Sequence, residues 1–240
     1  MTYILGANCN NGVVLVADRK VTFKENRSTV DFRKKLFGYP SHMYYPIVVG
    51  CAGSTVLSDQ FENDMLAIAM EYQGKITPDK FIPQLTSKIR GYFNTTYKDQ
   101  FKPEEFEIVL GIQTDNGAIL KHIPGEGLPI NIANHGYVIL GSESAMMRTR
   151  TLFQPLWSHG LDMIKVGEFG YFFIRYVERY HLDDLIGIER DAKPQIWYIP
   201  NHGHLSEAKE HYLNNLENKT QERLLRNEND LKDLFAYPCS

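Results

Sequence analysis

Residues 2–22 read TYILGANCNNGVVLVADRKVT. Tyr3 to Cys9 and Val13 to Lys20 are two strand-length apolar runs on either side of Asn10-Asn11-Gly12, whose residue types tolerate the backbone of a tight reversal. The chain is therefore expected to open with a β-hairpin. Further along, Leu36 to Tyr39 and Ile47 to Cys51 read as two short strands separated by the loop Pro40 to Pro46. Phe106 to Gln113 and Ala118 to Ile123 flank Thr114-Asp115-Asn116-Gly117, a second hairpin signal, and Ile130 to Ile132, Tyr137 to Leu140 and Gln195 to Ile199 add strands.

Between the strands the period changes to that of a helix. Leu57, Phe61, Met65, Ile68 and Ala69 make one stripe from about Thr55 to Tyr72. Thr77-Pro78 has the form of an N-cap followed by proline at the first helical position, and Phe81, Leu85, Ile89 and Phe93 continue to about Tyr97. Helices are also expected over Ser142 to Trp157 and Val166 to His181. Leu205, Ala208, Tyr212 and Leu216 lie on one stripe of a polar helical tail from Leu205 to about Leu234. Antiparallel hairpins with helices set apart from them define an α+β chain.

Of the 240 residues, 43% are hydrophobic and 23% charged, with 13 Phe and 14 Tyr, which excludes a disordered chain. With 26 Lys+Arg against 29 Asp+Glu, no basic field exists to hold nucleic acid or an anionic membrane surface. Cys9, Cys51 and Cys239 are too few and scattered for a disulfide framework or a cysteine-rich zinc site. Neither a basic leader nor an 18-residue apolar run is present, so a cytoplasmic protein is expected. His202, His204 and His211 resemble a metal cluster only loosely: Asn201-His202-Gly203-His204 has no carboxylate or Cys at ligand spacing, and a surface loop is the expectation there.

Residues 2–22 resemble, without a gap, the opening of mature proteasome β-type subunits. There a Thr begins the first strand, Gly-Val-Val-Leu follows the turn, and Ala-Asp-Arg-[RK]-x-Thr closes the second. Thr2, Gly6, Gly12, Asp18 and Thr22 fall in register. The likeness continues at Lys35-Leu36-Phe37, Cys51-Ala52-Gly53, Gly141-Ser142-x-Ser144, Asp183 and Gly187. The short Met-Thr start is similar to the HslV and Anbu groups, and Arg33-Lys34-Lys35 is similar to the Anbu group. The resemblance implies a four-layer αββα N-terminal-nucleophile (Ntn) hydrolase over residues 2–200, with residues 201–240 a helical extension packed on the same domain or on a neighbouring subunit.

The chemistry of that reading starts at Thr2. Aminopeptidase removal of Met1 would expose the Thr2 α-amine, whose ordinary pKa of about 7.7 to 8 makes it a competent base for the hydroxyl of its own residue. Lys35 would favour the alkoxide, Asp18 would hold the Lys35 ammonium, and the Gly53 N–H would face the oxyanion. By resemblance Ser142 and Asp183 organise hydrogen bonds around the amine, and Lys20, Val21, Cys51 and Thr55 line the substrate. A strand alternates faces, so only one of Lys34 and Lys35 can point inward, and the Leu36-Phe37 that follows selects Lys35. The departures are Ile186 where Ser is usual, Lys20 for Arg, Glu143 for Gly, and four extra residues between Lys35 and Gly53.

The expected activity is that of a threonine endopeptidase acting on polypeptides without metal or organic cofactor. A transpeptidase of the connectase type and a non-catalytic ring subunit stand as alternatives. The resemblance also implies a homo-oligomeric ring and admits an ATPase unfoldase as partner. Tyr39, Tyr44, Tyr45, Tyr171, Phe172 and Phe173 are the aromatics expected to be covered by such association.

Overall fold

In the computed structural model, which describes residues 3–22, 29–32, 34–39, 45–72, 77–133, 136–141, 143–153, 161–180 and 193–235, the opening hairpin is formed by strands β1 (Tyr3–Cys9) and β2 (Gly12–Ala17). Cys9 pairs with Gly12 across the two-residue turn. Gly12 has φ +148°, and a Cβ there would lie 2.3 Å from the Ile199 carbonyl oxygen, so only glycine allows the close approach. Nearly every residue of both strands is buried, because each strand has one face toward a second sheet and the other toward helices.

The second strand ends at Ala17, three residues before the reach of its apolar run. Asp18 turns its carboxylate inward and leaves the ladder, and the chain resumes as β3 (Lys20–Thr22), which pairs with β4 (Thr29–Phe32) in a separate ribbon. Strand β5 (Leu36–Tyr39) and β6 (Ile47–Gly53) follow, then α1 (Thr55–Glu71). The Ser54 hydroxyl caps α1 by accepting from the Leu57 N–H at 3.5 Å, and Leu57, Phe61, Met65, Ile68 and Ala69 are buried on its inner stripe.

Helix α2 (Pro78–Gly91) begins after Thr77, whose side chain makes no cap bond; its carbonyl accepts from the N–H groups of Lys80 and Phe81 instead. Past Gly91 the helical path continues as a π turn over Tyr92–Thr96, closed by the Tyr97 N–H on the Tyr92 carbonyl at 2.7 Å. Strands β7 (Phe106–Thr114) and β8 (Gly117–Pro124) form the second hairpin, with Gly117 at φ +111°. They are followed by β9 (Ile130–Asn131) and β10 (Tyr137–Gly141).

The helix expected from Ser142 to Trp157 is α3 (Glu143–Phe153), and its expected last residues, 154–157, lie outside the described residues. Helix α4 (Met163–Arg179) starts three residues before the expected Val166, because the Asp162 carboxylate accepts from the Lys165 N–H at 2.8 Å and fixes the start. After β11 (Gln195–Pro200), the tail first makes a short strand, β12 (Ser206–Glu207), and only then α5 (Glu210–Phe235).

One antiparallel sheet has the order β10-β1-β2-β11-β12 and the other β5-β6-β7-β8-β9. Ile4, Val13, Leu15 and Ala17 of the first pack against Leu36, Val48, Val109 and Leu120 of the second. Helices α1 and α2 bury their stripes on the outer face of the second sheet. Helix α4 packs on the first sheet, with Leu213 and Leu216 of α5 in the same cluster.

Several aromatics that the sequence suggested for association belong to these cores. Tyr39 is buried under α1 and α2, Tyr171 and Phe173 are fully buried, and only Tyr45 and Phe172 are half-exposed; Tyr44 lies outside the described residues. The reason is that α4 is covered on two sides. Phe173 lies beside Tyr3 with the rings tilted and their centroids 5.2 Å apart, while the Tyr171 hydroxyl donates to Glu217 of α5 at 2.6 Å.

Candidate active site

Where β1 begins, the Tyr3 N–H donates to Asp18 Oδ1 at 2.8 Å, and the Asp18 N–H donates back to the Tyr3 carbonyl at 3.1 Å. The Tyr3 nitrogen is the peptide nitrogen that joins it to Thr2, so the carboxylate is fixed one peptide bond from the expected nucleophile. The same Oδ1 accepts from Lys35 Nζ at 2.6 Å. Asp18 is 0% exposed and the Lys35 side chain 5%, which makes this a fully desolvated ion pair. Charges in such a place are expensive and persist where partners and hydrogen bonds compensate them.

Lys35 reaches Asp18 because its main chain is held at the head of β5. The Cys51 N–H donates to the Lys35 carbonyl at 3.4 Å. The Gln195 side chain accepts the Lys35 N–H at 2.6 Å and the Leu36 N–H at 3.1 Å, and donates its amide to the Leu36 carbonyl at 3.2 Å. Lys34 points the other way; it is exposed and lies 3.5 Å from Glu207.

Gly53 ends β6 with φ +114°, and a Cβ there would stand 1.8 Å from the Glu105 carbonyl oxygen. That carbonyl accepts the Ser54 N–H at 3.2 Å. The turn from β6 into α1 is thus clamped by the residue preceding β7, and it tolerates no side chain at position 53. Cys51 is buried in β6, and Thr55 is the half-buried first residue of α1. Lys20 and Val21 have their backbone in β3, but their side chains are outside the described residues. Thr2, Ser142 and Asp183 also lie outside the described residues, as do Ile186 and Gly187.

The structure thus brings Asp18 and Lys35 together beside the start of β1, and places Cys51, Gly53 and Thr55 on the β6–α1 connection. Sequence reading did not single out Gln195 or Glu105. Gln195 opens a strand as an ordinary polar residue, and Glu105 acts through its backbone, so neither carries a local signal. Among the described residues no group of three or more His, Cys, Asp and Glu is placed to hold a metal ion, and no helix is long and apolar enough to cross a membrane.

Two antiparallel sheets with helices against their outer faces, and a buried Lys–Asp pair hydrogen-bonded to the first residue of the first strand, make an α+β fold consistent with the proteasome-subunit type. Solved structures carry the particular likeness. Anbu (ancestral β-subunit) from Yersinia bercovieri superposes with a TM-score of 0.74 at 14% identity, over 99% of each chain. Anbu from Hyphomicrobium sp. strain MC1 gives 0.69 at 12%, over 95% of this chain and 97% of the other. Anbu of Pseudomonas aeruginosa, described as a helical assembly, gives 0.72 at 12%, over 99% and 98%. At such identities the likeness is one of fold. No protein-family model matches the sequence, and no curated protein matches it.

Proposed function

We propose that this chain is a threonine-type peptidase of four-layer αββα Ntn architecture that cleaves polypeptides through an ester on Thr2 after Met1 is removed. One observation carries the reading: the desolvated Asp18–Lys35 pair shares its carboxylate oxygen with the Tyr3 N–H. A buried ammonium so close to the first strand residue is costly as mere structure, and it suits a hydroxyl that must lose its proton.

In this mechanism the Thr2 α-amine takes the hydroxyl proton and the alkoxide attacks the substrate carbonyl. The Gly53 N–H stabilises the oxyanion, and the amine returns the proton to the leaving nitrogen. Water then attacks the ester, and the cycle closes with the amine again as base. Lys35 lowers the cost of the alkoxide, and Asp18 keeps Lys35 charged and aimed. Ser142 and Asp183 are assigned to the hydrogen bonds around the amine, and Lys20, Val21, Cys51 and Thr55 to substrate contact. The Anbu fold of the whole chain supports a homo-oligomeric assembly, and the Pseudomonas aeruginosa protein's helical form is the precedent for its shape.

The test is intact-mass measurement after incubation with a peptide epoxyketone, which reacts with both the hydroxyl and the free amine of an N-terminal Thr. One adduct per chain is expected on the protein lacking Met1, and none on Thr2→Ala. Retention of Met1, or an equal adduct on Thr2→Ala, would defeat the proposal.

A further inference from the structure

We infer that Gln195 is the positioning residue that sets Lys35 against Asp18, acting from the opposite sheet. The inference rests on the proposed role of Lys35 beside Thr2, and its own footing is geometric. Gln195 is 1% exposed and belongs to β11 of the first sheet, where it pairs with Ala17, the residue before Asp18. Its side chain crosses to β5 of the second sheet and makes three hydrogen bonds there, to Lys35 N–H, Leu36 N–H and the Leu36 carbonyl.

The two members of the ion pair therefore come from different sheets. Asp18 is fixed by β2 and by Tyr3, whereas Lys35 is the first residue before β5, where ladder pairing with β6 begins only at Leu36. A lysine has four rotatable side-chain bonds, so its ammonium is only as well placed as the backbone that carries it. The Cys51 N–H of β6 holds the Lys35 carbonyl, and Gln195 holds the Lys35 N–H, so its amide completes that placement. Its amide orientation follows from its partners: two N–H groups face the oxygen and one carbonyl faces the nitrogen. A buried amide with both ends used is costly to replace by an apolar group, because the two N–H groups and the carbonyl would be left unpaired.

Displacing Lys35 has two readable consequences. A reacting group misplaced by about 1 Å can lose on the order of a hundredfold in rate. An ammonium next to the Thr2 amine also depresses that amine's pKa, so its withdrawal should raise the pKa and move the acid limb of kcat/KM to higher pH.

The experiment compares wild type with Gln195→Met, which keeps length and apolar contact but removes all three bonds. Gln113→Met serves as the control, because Gln113 Nε2 bonds the Pro200 and Gly203 carbonyls near the other end of β11. Turnover of a fluorogenic peptide is measured against pH, and competitive acetylation of Lys35 is followed by mass spectrometry on the intact oligomer. For Gln195→Met we expect kcat to fall by about ten- to a hundredfold with KM within twofold. The acid limb should shift upward and Lys35 acetylation should rise, with none of these changes in Gln113→Met. Should Gln195→Met fail to fold, Gln195→Asn, which draws the same amide back by one methylene, takes its place in the same measurements. Lys35 acetylation equal to wild type in the folded variant overturns the inference whatever happens to turnover. A wild-type protein that neither cleaves peptide nor takes the epoxyketone defeats the Thr2 reading alone, and Lys35 acetylation then decides the role of Gln195 by itself.

Discussion

Tyr3 and Asp18 hydrogen-bond each other in both directions: the Tyr3 N–H donates to Asp18 Oδ1 at 2.8 Å, and the Asp18 N–H donates to the Tyr3 carbonyl at 3.1 Å. The reciprocal pair pins the start of β1 to the end of β2. It also puts a carboxylate where one oxygen can serve the backbone and Lys35 together. The pair also fixes the Tyr3 nitrogen through which the proposed nucleophile at residue 2 is joined to the first strand.

Breaking that pair from one side should be worse than removing it. Lys35→Met takes the ammonium away from the buried Asp18 carboxylate, and Asp18→Asn takes the carboxylate away from the buried Lys35 ammonium. Each single change is expected to cost about 3 to 5 kcal/mol. The double variant should be less destabilised than the sum, since neither charge then remains to be desolvated. Urea unfolding of the four proteins measures the coupling, and strict additivity would argue that the two charges do not stabilise each other.

At Gly53 the expected effect is one of backbone. With φ at +114° and the Glu105 carbonyl oxygen 1.8 Å from the position of a Cβ, Gly53→Ala must move the β6–α1 turn or β7. A loss of more than about 1 kcal/mol is expected. No side-chain change at Glu105 should rescue it, because the obstruction is a main-chain oxygen. Rescue by Glu105→Ala in a thermal unfolding series would show that this account of the turn is mistaken.

Gly38 and Trp197 form a contact between the sheets. A Cβ at Gly38 would lie 2.2 Å from Trp197 Cη2, and the Trp197 indole N–H has no hydrogen-bond partner among the described residues. Gly38→Ala is expected to destabilise by about 1 to 3 kcal/mol through overpacking. Trp197→Leu should recover part of that loss in the double variant by vacating the space without breaking a hydrogen bond. Denaturation midpoints of both singles and the double check it, and full additivity would count against the contact.

The acid side of the stability profile should report the attachment of α5. Burial alone would raise the Glu217 carboxyl pKa. The hydrogen bonds from Tyr171 and Gln221, together with the Arg175 guanidinium, outweigh burial and hold it below the usual carboxylate value. A depressed folded-state pKa means that the unfolded chain binds the proton first as pH falls. The stabilisation is therefore complete above the unfolded pKa of about 4.3 and is lost as pH drops through the lower folded value. Glu217→Gln should lower the urea midpoint at pH 7 and make it less sensitive to pH below about 4.3 than in wild type. A variant with the same acid slope as wild type would place that sensitivity elsewhere.

What residues 2–22 establish without any structure is the local part of the fold. Alternating and continuous apolar runs with Asn-Asn-Gly between them can form little else than a hairpin, and the stripe from Leu57 to Ala69 is a helix by its period alone. These are short-range consequences of backbone sterics and side-chain spacing, so they are written along the chain. The resemblance to proteasome β subunits, in these residues and at Lys35-Leu36-Phe37, also named Asp18 and Lys35. That they meet at 2.6 Å in a desolvated place depends on two sheets closing over each other. The outcome at Tyr171 and Phe173, core rather than association surface, depended in the same way on tertiary packing, of α5 against Tyr171 and of β1 against Phe173. Gln195 is the extreme case. It lies 160 residues from Lys35, and nothing near it in the chain distinguishes it from a polar residue at a strand end. Only the crossing of β11 past β5 gives its amide three partners, because hydrogen bonding between distant segments is decided by which surfaces bury one another.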